Sequence, residues 1–320
     1  MEERIDVSHL QTTVQQIKSE IGKVLVGQHM MIDLLLTAIL AEGHVLIEGV
    51  PGVAKTLAAK LIARCIDVPF NRIQFTPDLM PSDVLGTNVF NPQTNAFTYK
   101  KGPIFSNIVL IDEINRSPAK TQAALFEVME EKQVTSDGIT YKMDEPFIVL
   151  ATQNPVEQEG TYRLPEAQLD RFLFKIEVGY PDINEELLIL QHADKGITTH
   201  FTTEVQPILN AAMVQSFRLL VSKIHIEEKV LQFIATLIQE TRNNKSLFLG
   251  ASPRASVAVL KASKAFAAMQ GRDFVTPDDV ITVLHPVLCH RIILTPEKEM
   301  EGVTTNQVIA SIIKKVEVPR

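Results

Sequence analysis

At 320 residues, the chain is long enough for about two domains of roughly 150 residues and a well-buried core. Its 45% hydrophobic and 22% charged residues exclude a mainly disordered, collagen-like or disulfide-built protein. The net charge of −7 gives no overall attraction to nucleic acid or anionic lipid, although a local basic groove stays open. Cys65 and Cys289 lack metal-ligand spacing and are expected to be two buried, reduced thiols. The start MEERIDVSHLQ is acidic where a secretory signal would be basic and then apolar. The apolar segment 30–40 is too short for a membrane span and carries Asp33. A cytoplasmic protein with no membrane span is expected.

In chain order, residues 7–42 read as two helices joined by KVLVGQ, and HVLIEGVPGVAKTLAAKLIARCI then reads strand, glycine loop, helix. Further apolar runs at 70–75, 108–112, 147–152 and 172–178 alternate with helical patterns, as in a parallel sheet covered on both faces. The helix after the strand at 108–112 is expected to start with Ser117 as N-cap and Pro118 in its first turn. Residues 86–102 and 132–143, the latter with an Asp137-Gly138 turn, read as inserted hairpins, with edge strands of the main sheet as the alternative. Beyond Tyr180-Pro181-Asp182 the composition turns to helix formers. The expected division is therefore an α/β unit over 1–182 and an all-helical unit over 183–320. The expected helices are 184–195, about 204–221, 226–243, 253–270, 277–293 and 304–315, with a cap at Thr276-Pro277-Asp278-Asp279.

The strongest chemical signal is Gly49-Val50-Pro51-Gly52-Val53-Ala54-Lys55-Thr56, between the strand HVLIE and the helix TLAAKLIARCI. A phosphate-binding loop needs small residues for close backbone approach, a helix N-terminus facing the anion, a lysine, and a hydroxyl for Mg²⁺. All four are present, with Ala54 where the usual pattern has glycine. The run Ile108–Ile111 ends in Asp112-Glu113, which places two carboxylates at the C-terminal end of a buried strand, where open α/β sheets bind ligands. Asp112 can hold the Mg²⁺ shell, and Glu113 can orient and deprotonate a water. Asn154, before Pro155, can hydrogen-bond the γ-phosphate and that water; a turn-forming asparagine is the plainer alternative. Arg254 is a cation in the first turn of a helix, where it opposes the dipole and calls for an anion from elsewhere. Arg171, with Arg163 nearby, is open to three readings: an arginine given to a neighbouring subunit, one half of a local pair with Asp170, or simple surface placement.

These residues resemble the AAA+ ATPases, and more narrowly the MoxR family. The resemblance is carried by GVPGVAKT, IVLIDEINRSPAKTQAALFEVMEE, LATQNP, LPEAQLDRF and GASPRA, and spans nearly the whole chain from Val26-Gly27-Gln28. It implies a P-loop αβα sandwich with a parallel sheet, an all-α lid, and Mg-ATP hydrolysis at the boundaries of a homo-oligomeric ring, usually a hexamer. Asn154 then matches sensor 1, Arg171 the arginine finger and Arg254 sensor 2. Val26, Gly27 and Gln28 match the adenine-pocket stretch, and Gly49 through Leu57 the phosphate contacts. Thr56 and Asp112 match the Mg²⁺ ligands. The two hairpins match the helix-2 and pre-sensor-1 insertions. An extra helix, in 196–224, leaves open whether Arg254 serves its own site or a neighbour's. The resemblance also implies a chaperone-like role in maturing a protein client or inserting a metalloenzyme cofactor, alongside a von Willebrand factor A domain partner. Alternatives are a magnesium-chelatase-type motor, a nucleotide-gated scaffold, and a nucleic-acid translocase. The last rests on Lys100, Lys101 and Lys142 and is opposed by the acidic balance.

Overall fold

The computed structural model describes residues 5–50, 52–93, 95–154, 162, 164–194 and 205–319. Pro51, Pro155, Arg163 and the start of the 196–224 segment lie outside the described residues.

Helices α1 (Ser8–Gly22) and α2 (His29–Leu40) precede β1 (His44–Gly49), α3 (Lys55–Ile66) and β2 (Phe70–Gln74). A short α4 (Pro81–Leu85) leads into the first hairpin, β3 (Gly86–Asn91) and β4 (Ala96–Lys101). Next come β5 (Ile108–Asp112), a 3₁₀ turn (Ile114–Arg116), α5 (Ala119–Glu131), and the second hairpin, β6 (Gln133–Ser136) and β7 (Ile139–Lys142). The main sheet is completed by β8 (Ile148–Gln153) and, after the short α6 (Glu166–Leu169), β9 (Phe172–Val178). Its order is β2-β5-β8-β1-β9, parallel throughout. Alternate residues of each strand enter opposite layers. Val45 and Ile47 of β1 and Ile108 and Leu110 of β5 pack under α1, α2 and α3, whereas Leu46, Val109 and Ile111 pack under α4 and α5. That two-sided burial is why these strands read as continuous apolar runs.

Both insertions are hairpins separate from the main sheet, so the edge-strand alternative fails. Asp137 (φ 49°) and Gly138 (φ 79°) form the left-handed pair that a two-residue hairpin loop needs. Tyr99 stacks on Tyr141 at 4.4 Å, and Asn88 donates to Ser136 Oγ at 3.3 Å, so the two hairpins stand together with Phe90, Phe97 and Ile139 exposed.

After β9 the chain is mainly helical: α7 (Ile183–Asp194), α8 (Ala211–Ser222), α9 (Glu228–Asn243), α10 (Pro253–Met269), α11 (Pro277–Leu288), α12 (Pro296–Met300) and α13 (Thr305–Lys315). It also holds a ribbon that the sequence reading lacked, β10 (Leu247–Leu249) against β11 (Ile293–Leu294). Helix α10 is central here: Ala255, Val259, Ala262 and Met269 are buried, with α11, α9, α2 and α8 packed around it.

Three boundaries differ from expectation for local reasons. Pro118 is extended (ψ 151°) and its carbonyl accepts the first helical N–H bonds, so α5 starts at Ala119. Ser117, buried with its hydroxyl unpartnered, is therefore not the cap. The Asn210 side chain accepts from Met213 N, so α8 starts at 211. Helix α11 stops at Leu288, where the Arg291 side chain takes the Val287 carbonyl. Both cysteines are free and buried, and burial pushes each thiol up to about 12. No helix among the described residues is long and apolar enough to cross a membrane.

Candidate functional site

The loop after β1 is shaped by its backbone. Gly49 pairs with Val178 in β9, and a Cβ at Gly49 would lie 2.7 Å from the Val178 carbonyl oxygen, so only glycine fits. Gly52 (φ 90°) has open space around it and is needed for its angle alone. Ala54 adopts the left-handed conformation (φ 59°, ψ 21°), so the missing glycine is tolerated with strain rather than avoided. Val53 is buried, and Val50, Lys55, Thr56 and Leu57 are half-buried. No side chain caps α3, which leaves its first-turn N–H groups as anion donors. Lys55 donates to the Gly49 carbonyl, so its ammonium lies over the loop. Partial burial pulls that ammonium below the ordinary lysine value, while the carboxylates of Asp112, Glu113 and Glu48 oppose the pull.

Asp112 is the buried last residue of β5. Its Oδ1 accepts from Thr152 Oγ1 at 3.1 Å, and its Oδ2 accepts from Arg72 Nε at 2.5 Å. Glu113 turns left-handed (φ 57°), and its N–H donates to Thr152 Oγ1 at 3.1 Å. Its Oε2 accepts from Gln74 Nε2 at 2.9 Å and pairs with Arg116 Nε at 3.1 Å. Asn154 follows β8, the strand lying between β5 and β1, and is half-buried there. The order of the sheet thus gathers Lys55, Thr56, Asp112, Glu113 and Asn154 at one strand end.

Residues 26–28 turn between α1 and α2, with Gly27 (φ 68°) and Gln28 (φ 57°) left-handed. Gln28 Nε2 donates to the Gly179 carbonyl at 3.4 Å, and a cavity of about 460 Å³ opens beside them, lined by Gln28, Met31, Lys175, Gly179, Glu185 and His285. Because Gly49 is level with Val178, this cavity adjoins the loop.

Arg171 and Arg254 are elsewhere. Arg171 immediately precedes β9, whose Phe172 pairs with His44 at the start of β1. It therefore stands about 20 Å from the loop along the strand direction, at the opposite end of the strands. Its Nη1 donates to the Phe126 carbonyl, and its Nε lies 3.8 Å from Glu130 Oε2. Arg254 Nη2 donates to Glu130 Oε1 at 3.0 Å. The anion that the first-turn arginine called for is Glu130, which both arginines share. Asp170 pairs with Arg291 rather than Arg171, which closes the local-pair alternative.

Sequence reasoning missed Arg72, Gln74, Thr152, Arg116, Glu130 and Arg291. Gln74 stands opposite Asp112 in the β2–β5 register, a relation visible only once the strand order is known.

The donor set suits Mg-ATP. Among the described residues, no group of three or more His, Cys, Asp or Glu stands ready to hold a metal. Mg²⁺ needs no such cage, since it takes one or two carboxylates together with substrate phosphate oxygens. The hydroxyl of Thr56 and the carboxylate of Asp112 are hard oxygen donors of that kind, and the uncapped α3 N-terminus with Lys55 suits the phosphates.

Comparison with known proteins agrees with this geometry. Residues 44–174 match the ATPase family associated with various cellular activities (AAA), and residues 239–312 match the AAA lid domain. The chain is 46% identical over 299 residues to the uncharacterized protein YeaC of Bacillus subtilis, covering 93% of this chain and 92% of that protein. It is 40% identical over 317 residues to Chaperone MoxR1 of Mycobacterium tuberculosis, covering 96% and 83%. A crystal structure from Cytophaga hutchinsonii superposes with a TM-score of 0.90 at 44% identity, over 98% of this chain and 97% of that one.

Proposed function

The chain belongs to the MoxR family of AAA+ ATPases, and on that premise we propose that it hydrolyses Mg-ATP at sites shared between copies in a ring and uses the cycle to remodel a protein client. The observation that carries this reading is the separation of Arg171 and Arg254 from the phosphate loop of their own chain, at the opposite end of the strands. Each chain holds two halves of a site that it does not close by itself. A second copy joins them.

In this reading Lys55 leaves the Gly49 carbonyl for phosphate oxygens, and the first N–H groups of α3 hold the same anion. The adenine lies in the cavity beside Gln28 and Gly179. Thr56 and Asp112 would hold Mg²⁺, which would supply positive charge against the phosphoryl oxygens. Glu113 orients the attacking water and takes its proton once Gln74 and Arg116 release the carboxylate. Asn154 hydrogen-bonds the water and the terminal phosphate. Arg171 and Arg254 leave Glu130 and neutralise charge at the neighbour's phosphates. The joined hairpins, with Phe90, Phe97 and Ile139 exposed, carry the resulting movement to the client. The relative named a chaperone supports the client half of the proposal; maturation or cofactor insertion of a metalloenzyme is the form of that role we propose.

The test is ATP turnover per subunit over a wide range of protein concentration, with Glu113→Gln and Arg171→Ala alongside. Turnover should rise with concentration in the unmodified chain and be lost in both variants. A flat, negligible rate beside measurable ATP binding would refute the motor and leave the nucleotide-gated scaffold, whose mark is client activation by a non-hydrolysable analogue.

A further inference from the structure

We infer that Arg291, Asp170 and Ser252 form a clamp that sets Arg171 and Arg254 as one unit, so that Arg291 and Asp170 are positioning residues for phosphoryl transfer at the neighbouring copy. This rests on the reading above in which the two arginines act in trans.

Arg291 follows α11 and its side chain is 4% exposed. A guanidinium has five N–H donors, and each has an acceptor here. Nε donates to Asp170 Oδ1 at 2.7 Å. Nη1 donates to the carbonyls of Leu173 (3.1 Å) and Val287 (2.6 Å). Nη2 donates to the carbonyls of Asp170 (3.0 Å) and Phe172 (2.7 Å). The last pair matters most, because one nitrogen grips the peptide oxygens on either side of Arg171 and fixes the direction in which that side chain leaves the backbone. His290 Nε2 adds a contact to the Phe172 carbonyl at 3.0 Å.

The other end of the clamp reaches Arg254. Asp170 Oδ2 accepts from Ser252 Oγ at 3.2 Å. Ser252 is the N-cap of α10, a position whose hydroxyl ordinarily accepts from the helix's own first N–H groups, yet here it makes no such bond. Its hydroxyl is committed to Asp170 instead. The carboxylate next to Arg171 thereby holds the helix start that carries Arg254 two residues on. A buried cation is a poor device for stability alone, since apolar residues of the same volume do as well; its use is to fix geometry.

The experiment mixes subunits. Glu113→Gln subunits lose their own hydrolysis but keep both arginines, so they can donate to a neighbour. Asp170→Asn removes the charge facing Arg291 and turns one acceptor into a donor; the expected loss is about 10²-fold in kcat, with the ATP KM changed by less than about twofold. Ser252→Ala cuts only the tie to α10, leaves no cap bond missing, and should cost about three- to tenfold in kcat. Adding an excess of Glu113→Gln subunits should restore turnover to both variants and to Arg171→Ala, because the working sites then receive arginines from intact donors. If Arg171→Ala is rescued while Asp170→Asn and Ser252→Ala are not, or if their KM rises in step with the fall in kcat, the clamp is structural only and the inference is overturned. If Arg171→Ala is not rescued, or the unmodified chain shows no turnover, the trans reading fails and the inference fails with it. Should Asp170→Asn not fold, Ser252→Ala decides the matter alone.

Discussion

Glu130 is the residue whose removal should free Arg254 and loosen Arg171, which keeps its bond to the Phe126 carbonyl. It lies in the last turn of α5, where a carboxylate meets the negative end of the helix dipole, so Glu130→Ala takes nothing from the helix. What it does remove are two contacts, Arg254 Nη2 at 3.0 Å and Arg171 Nε at 3.8 Å. The Arg254 side chain is 61% exposed and Glu130 38%, so water screens that pair heavily, and the Arg171 pair is weak because of its length. Exposed pairs of this kind contribute about 0.2–1 kcal/mol each, and the longer one belongs at the bottom of that range, which gives about 1 kcal/mol in all. If Glu130 competes with the neighbour's phosphates for the arginines, its loss should raise turnover by about fivefold at protein concentrations below saturation. At 0.5 M salt the advantage should shrink, because screening already loosens the pairs in the unmodified chain. The assay is ATP turnover per subunit against protein concentration at low and high salt. A fall in turnover in Glu130→Ala would refute the reasoning, since it would mean that the carboxylate aims the arginines rather than withholding them.

Two further predictions concern stability. Ala54→Gly relieves a left-handed alanine, a cost of about 1–2 kcal/mol, against an added unfolded-state freedom of about 0.4–1 kcal/mol. The variant should therefore be more stable by about 0.5–1 kcal/mol in urea unfolding, and a loss would show that residue 54 does not hold this turn. His44 is buried at the start of β1; its Nδ1 accepts from Val149 N at 2.9 Å, its Nε2 donates to the Met129 carbonyl at 3.1 Å, and burial pulls its pKa down to about 4. The folded ring stays neutral where the unfolded chain takes up a proton near pH 6.5, so stability is full above that pH and drains as the pH falls toward 4. From pH 7 to pH 5 the loss from His44 alone is about 2 kcal/mol, and buried His290, whose pKa is also depressed, acts in the same direction. Urea unfolding of His44→Gln should show a shallower dependence over that interval; an unchanged slope would remove His44 as its source.

What could be read without coordinates, and what could not, divides along one physical line. Asp112 and Glu113 were legible because an apolar run has to be a buried strand, and two acids directly after it mark the strand end where ligands bind. The loop at Gly49–Thr56 was legible because strand, small residues and helix are consecutive, so local sequence carries the whole geometry. Glu130 was not, since on its own helix it is one more polar residue of a solvated turn; its meaning comes from Arg171 and Arg254, 41 and 124 residues further along. Arg291 was hidden differently. The pattern of 277–293 reads as continuous helix, and the side chain that ends α11 by taking the Val287 carbonyl is the one that grips the backbone around Arg171. A helix boundary misplaced by five residues was thus the trace of a long-range contact. The half of the site built from adjacent residues can be read in one dimension, whereas the half proposed to serve a neighbour is assembled from α5, the turn before β9, α10 and the end of α11, and has no local signature to read.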